Sequence, residues 1–210
     1  MAGNSSQPGI CGQQVCAVLT TVDGEVAPDP TEEQTTEGVA VTAINEMLRR
    51  NKTAAVNHSS GLGPSPLKHL AVVMCMDCRL DAHVAFRLNP GEVHLIRNAG
   101  GIVSDDVIRS LAISQHALGT REVMIVHHTD CGLAKLNEEE FREKLAQFAG
   151  YRPTWSVQAF KDPYDSVCES MRRVRDSPFL HHTDDVRGFI FDVETGLLEE
   201  VPGDDKGSSS

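Results

Sequence analysis

Residues 70–81 read LAVVMCMDCRLD. An unbroken apolar run from Leu70 to Met74 leads, with no turn signal between, into two cysteines, an aspartate and an arginine. A short continuous apolar run of this kind is the mark of a strand covered on both faces. The polar half holds two overlapping patterns. Cys75 and Cys78 form C-x-x-C, the spacing of a redox dithiol or of half a structural zinc site. Cys75, Asp77 and Arg79 form C-x-D-x-R, which points instead to a metal site with a charged pair beside it.

Working outward, the same apolar pattern returns at 123–126 (VMIV) and, shorter, at 93–96 (VHLI). Between these strands the segment 104–118 predicts a helix: Ser104 is its N-cap, Asp105 and Asp106 suit the positive helix start, Val107, Ile108 and Leu111 build an apolar face, and Gly119 ends it. Strand, helix, strand alternation implies α/β architecture around a mostly parallel central sheet flanked by helices. Further helices are predicted at about 37–56, 138–148 and 165–175. Residues 186–193, a turn at 194–196 and residues 197–201 form a hairpin signature.

The 210 residues suffice for one ordinary domain with its own core. Residues 1–35 are rich in Gly, Ser, Thr, Pro and acids without periodicity, and are expected to be a flexible arm. The expected organisation is that arm, one α/β domain over 36–202 and a disordered tail over 203–210. The formal net charge of −11, with no Lys/Arg-rich run, opposes binding to nucleic acid or anionic membranes. No apolar run approaches the roughly 18 residues of a membrane span. The first basic residue is Arg49, so the start lacks the charges of a signal peptide or a mitochondrial presequence, and a cytoplasmic protein is expected. Six cysteines (Cys11, Cys16, Cys75, Cys78, Cys131 and Cys168) are too few for a disulfide scaffold of this length, so metal binding or catalysis is the better use, with the spacing of Cys11 and Cys16 read as incidental.

Cys75 follows the first apolar strand as His128 and Cys131 follow the one at 123–126, the latter as H-x-x-C. In an open parallel sheet the carboxyl ends of the strands share one edge, where ligands bind. The two motifs should therefore converge. Two thiolates and an imidazole suit tetrahedral zinc, with a fourth position either open or closed by Cys78. Asp77 and Arg79, two apart on extended chain, project the same way. His127 is read as a neighbour of the site, and His181 to Asp184, which repeats its letters without the cysteine, as a polar loop. Gly100-Gly101 lacks a phosphate-loop pattern and is read as close backbone packing. Cys168 is read as a small buried residue on a helix.

At these residues the chain resembles the β-class carbonic anhydrases: Cys75-Met-Asp-Cys-Arg79 is similar to that family's zinc and dyad motif, His128-Thr-Asp-Cys131 to its second zinc motif, and Arg97-Asn-Ala-Gly-Gly101 to the segment between. The resemblance covers about residues 37–201 and implies the fold deduced above, a homodimer or a higher oligomer of dimers, and a Zn2+ cofactor on Cys75, His128 and Cys131. It implies catalysis by Asp77 and Arg79, with zinc-bound hydroxide adding to the carbon of CO2 to give bicarbonate. A second state is implied as well, in which Asp77 closes the zinc site. Cys78 departs from the pattern, where Ser or Ala is usual, and is read as a packing residue. The compact first motif, completed by Asp81, is similar to a branch that includes carbonyl sulfide hydrolases, so hydrolysis of COS to CO2 and hydrogen sulfide is the alternative. Two other readings remain: a non-catalytic zinc module closed by Cys78, with Asp77 and Arg79 turned to solvent, and a thioredoxin-like dithiol of Cys75 and Cys78.

Overall fold

The computed structural model describes residues 42–58 and 61–203. The expected arm at 1–35, with Cys11 and Cys16, and positions 204–210 of the expected tail lie outside the described residues. Two compact units are distinguished, divided after His58. The first contains helix α1 (Ala43–Ala54), whose N-cap Thr42 accepts a hydrogen bond from the Asn45 backbone N–H at 3.2 Å. Among the described residues no helix is long and apolar enough to cross a membrane.

The second unit runs β1 (Leu70–Cys75), α2 (Ala82–Ala85), β2 (Val93–Asn98), α3 (Asp105–Leu118), β3 (Glu122–His128), α4 (Glu138–Ala149), α5 (Pro163–Arg175), β4 (Val186–Phe191) and β5 (Leu198–Val201). Its sheet has the order β2-β1-β3-β4-β5, parallel throughout except for the antiparallel β5. The mostly parallel α/β sheet expected from the alternation of elements is thus present. Because side chains alternate across a strand, β1 feeds two cores. Ala71 and Val73 pack with Val107 and Leu111 of α3 and Val167 and Met171 of α5, while Val72 and Met74 pack on the other face with Leu80, Leu133 and Phe191. This double coverage is why the run shows no apolar/polar alternation.

Local signals act largely as read. Ser104 accepts from the Val107 N–H at the start of α3, and Gly119 ends that helix in the left-handed conformation. Helix α5, however, starts at Pro163 rather than 165: Asp162 caps it by accepting from the Tyr164 N–H at 2.8 Å, and Pro163 occupies the first turn, where a missing N–H costs nothing. Asp81, the last residue of the quoted stretch, caps the short α2 by accepting from the His83 and Val84 N–H groups.

Gly101, beyond β2, has φ +71°. A Cβ there would stand 2.8 Å from the Cys75 nitrogen and 3.0 Å from both the Met74 carbonyl carbon and the Val126 oxygen. Only glycine lets the loop after β2 lie directly on β1 and β3, the two strands that lead into the cysteine and histidine motifs.

Candidate metal centre

β1 and β3 are adjacent and parallel, with Met74 opposite Val126. Their carboxyl ends therefore lie side by side, Cys75 closing β1 and His128 closing β3. The chain turns beyond His128 at Asp130, which takes a positive φ of 55°, and this return brings Cys131 back to the strand ends. The candidate ligand atoms of Cys75, His128 and Cys131 all lie within 4.8 Å of one another, and all three residues are buried.

The donor set fits a soft or borderline divalent cation. His128 Nδ1 lies 2.8 Å from the Thr129 carbonyl oxygen, to which it donates, and this fixes the tautomer that leaves the Nε2 lone pair free. Nε2 is buried and has no hydrogen-bond partner. An orphaned buried acceptor is costly unless something coordinates it, and two buried sulfurs stand beside it. The two sulfurs are in contact, and hydrogen bonding with Cys131 first and His128 next holds the Cys75 thiol well below the ordinary range despite burial. Cys131, in the same contact and itself buried, is pushed far up. A cation bound between the two sulfurs would replace the proton they share. Burial alone would push the His128 imidazole down, but contact with Cys75, the Thr129 carbonyl and Asp77 raises it.

Asp77 lies beside this set, its Oδ2 3.8 Å from His128 Nε2. Arg79 grips it three ways: the backbone N–H and Nε both donate to Oδ1 at 3.0 Å, and Nη2 donates to Oδ2 at 2.8 Å. These contacts, the side-chain ones first, hold the Asp77 carboxyl well below the usual carboxylate range and raise Arg79. Asp77 is therefore an anion at any working pH, able only to accept hydrogen bonds.

Cys78 is exposed and stands outside the buried group of three, and Asp77 and Arg79 are paired with each other at 2.8 Å, the Asp77 carboxylate being mostly covered. The closed zinc module requires the reverse on both points. Cys75 is buried where Cys78 is exposed, which leaves the C-x-x-C pair split between two environments. His127 points away from the cluster; its Nε2 meets the Gly101 carbonyl at 3.1 Å and its ring stacks on Phe160.

Two residues that the sequence reading placed inside motifs without assigning them a role support the site. Arg97 donates from Nε to the Cys75 carbonyl at 3.0 Å and from Nη2 to the Asp77 carbonyl at 2.8 Å, pinning the backbone that carries both side chains. The register of β2 on β1, which sets Arg97 opposite Met74, places it there. Asp130 accepts from Arg79 Nη1 at 2.9 Å through its carboxylate and from Nη2 at 3.0 Å through its carbonyl. An acid inside H-x-x-C was the available signal.

A buried cysteine, histidine, cysteine set with a carboxylate held at its edge, on the carboxyl end of an open parallel sheet, defines a mononuclear metal enzyme of the α/β class. Comparison with known proteins makes this particular. The family model described as carbonic anhydrase matches residues 70–151. β-Carbonic anhydrase 1 of Mycobacterium tuberculosis is 45% identical over 161 residues, covering 77% of this chain and 99% of that protein. The carbon disulfide hydrolase of Acidianus sp. is 26% identical over 182 residues, 75% of this chain and 88% of that one. A crystal structure of carbonic anhydrase from Streptococcus mutans superposes with a TM-score of 0.73 at 35% identity, covering 78% of this chain and all of that one. The chain belongs to the β-carbonic anhydrase family. These are zinc enzymes, and the Cys75, His128 and Cys131 cluster has the composition of a zinc site.

Proposed function

We propose that the chain catalyses the reversible hydration of CO2 to bicarbonate, with Cys75, His128 and Cys131 as zinc ligands and Asp77 and Arg79 as the catalytic pair. The observation that carries this is the placement of an ionised, arginine-held carboxylate 3.8 Å from the unpartnered Nε2 of a buried Cys–His–Cys set. When bound there, zinc supplies the Lewis acidity that makes a water acidic near neutral pH.

Asp77, permanently ionised, accepts a hydrogen bond from an attacking water and so aims its lone pair at the substrate carbon. Arg79 holds Asp77 in that orientation through Nε and Nη2 and places a positive charge where the bicarbonate anion develops. Arg97 keeps the Cys75 to Asp77 backbone from relaxing under these forces.

A second reading keeps the same site and changes the substrate. The 26% identity to a carbon disulfide hydrolase favours a sulfur-bearing linear molecule: COS plus water gives CO2 and hydrogen sulfide, and CS2 plus two waters gives CO2 and two molecules of hydrogen sulfide. The 45% identity to a carbonic anhydrase ranks CO2 first. A side-by-side assay of the zinc-loaded protein tests this, following proton release from CO2 by rapid mixing and hydrogen sulfide evolution from COS and CS2. Faster turnover of either sulfur compound than of CO2 would reverse the order.

The catalytic domain is proposed to span 36–202; the alignment over 99% of the M. tuberculosis protein supports a single catalytic unit. We also read the enzyme as a homodimer. In support, β2 is an edge strand next to the exposed Ile113 of α3, an apolar edge of the kind that pairs with a second copy. Sedimentation velocity tests that reading. A cytoplasmic setting is part of this reading and accords with Cys75, Cys78 and Cys131 standing as thiols rather than in disulfides.

A further inference from the structure

Arg79 makes more contacts than its grip on Asp77 needs. While Nε and Nη2 hold the Asp77 carboxylate, Nη1 donates to Asp130 Oδ2 at 2.9 Å and Nη2 also donates to the Asp130 carbonyl at 3.0 Å. Asp130 is held in turn, with Lys135 Nζ 2.5 Å from its other carboxylate oxygen. Four charges of alternating sign therefore run from Lys135 through Asp130 and Arg79 to Asp77, which lies next to His128 Nε2. Asp130 reaches this position only by adopting a positive φ of 55°, a conformation uncommon outside glycine, so a local cost is met where the contact forms.

The arrangement solves a problem that the site creates for itself. A carboxylate oxygen 3.8 Å from a ligand nitrogen is within reach of any cation on that nitrogen, and carboxylates are good zinc ligands. Arg79 must keep Asp77 back, yet its side chain is 43% exposed, and an exposed arginine with a single partner holds it weakly. A second anchor on the opposite side of the guanidinium removes its rotamer freedom and makes the fork to Asp77 rigid.

We propose that Asp130, braced by Lys135, is a positioning residue that locks Arg79 so that Asp77 is kept from occupying the fourth metal position. This rests on the metal-site reading above and adds to it what keeps the fourth position accessible.

The test uses the full-length protein with cobalt in place of zinc and azide as a probe of the fourth position, titrated by visible absorption. Asp130→Ala and Asp130→Asn are expected to bind azide on the order of tenfold more weakly than the parent, because Asp77 competes for the metal. Losing a nearby negative charge would by itself tighten anion binding, so a weakening has the opposite sign to simple electrostatics. In an Asp77→Asn background, where the competitor is gone, the Asp130 substitutions are expected to leave azide affinity unchanged or to raise it. Unaltered or tighter azide binding in the single variants overturns the proposal. So does a weakening that persists without Asp77, which marks a generally disturbed site. If the parent shows no sulfur-to-cobalt charge-transfer band, the metal-site reading itself has failed, and this proposal with it; a normal band with unchanged azide binding removes only the role of Asp130.

Discussion

Replacing Gly101 with alanine tests the claim that backbone contact at one loop sets the distance between the ligand-bearing strands. The added Cβ would stand 2.8 Å from the Cys75 nitrogen and 3.0 Å from the Met74 carbonyl carbon and the Val126 oxygen. All three are backbone atoms of paired strands and cannot rotate away, so the loop must lift or β1 and β3 must shift. Holding alanine at φ +71° costs about 1–2 kcal/mol, and overpacking adds about 1–3 kcal/mol. The sum of roughly 2–5 kcal/mol is a large part of a typical total stability of about 5–15 kcal/mol, and at about 2–4 °C per kcal/mol it lowers Tm by about 10 °C. Thermal unfolding followed by circular dichroism, with zinc content measured on the same samples, reads both consequences, since the loop presses on the residue that ends in a ligand. Gly132→Ala is the control: its φ is −59° and a Cβ would meet nothing within 4 Å, so stability should hold or rise slightly. A Gly101→Ala protein that melts within about 2 °C of the parent and keeps its zinc would refute the reasoning.

Three further outcomes follow from the same contacts. Leu111→Ala, at a fully buried position between α3 and the sheet, should lose about 2–5 kcal/mol in urea unfolding; a loss under about 1 kcal/mol would mean this face of the core is not packed as described. Arg97→Met should weaken zinc affinity about 10–100-fold in a competition titration while leaving the sheet folded, because the Cys75 and Asp77 carbonyls lose their common donor; unchanged affinity would make Arg97 incidental. Glu138 accepts from Ser156 Oγ and the Val157 N–H, contacts that hold its carboxyl below the ordinary range, the serine first. Its contribution is therefore present at neutral pH and is lost as pH falls below about 4. Glu138→Gln should flatten the acid limb of the stability profile, and an identical acid limb would argue that these bonds do not hold the 156–157 loop.

What the chain disclosed in advance was whatever is local or periodic. The runs at 70–74 and 123–126 are apolar on both faces because α3 and α5 cover one side of the sheet and the segments carrying Leu80, Ala82 and Leu133 cover the other, so strands and layers were legible together. Ser104 and Gly119 bracket α3 through contacts within a few residues. The convergence of Cys75 with His128 and Cys131 could be deduced because parallel strands put their carboxyl ends on one edge. Other features needed information that local pattern lacks. Arg97 matters through the register of β2 on β1, which no spacing announces. Asp130 matters because a left-handed turn aims both its carboxylate and its carbonyl at Arg79, fifty-one positions away in sequence. Asp162-Pro163 was a readable start for α5, an N-cap with proline in the first turn. Asp81 drew attention as part of a motif, whereas in the fold its carboxylate caps α2.

The most direct measurement is the metal environment of the purified protein set against its activity. X-ray absorption at the zinc edge should show two sulfurs at about 2.3 Å and nitrogen at about 2.0–2.1 Å, with one zinc per chain. Removal by dipicolinate should abolish CO2 hydration, and added zinc should restore it. Full activity after stripping, or a zinc shell without sulfur, would contradict the account.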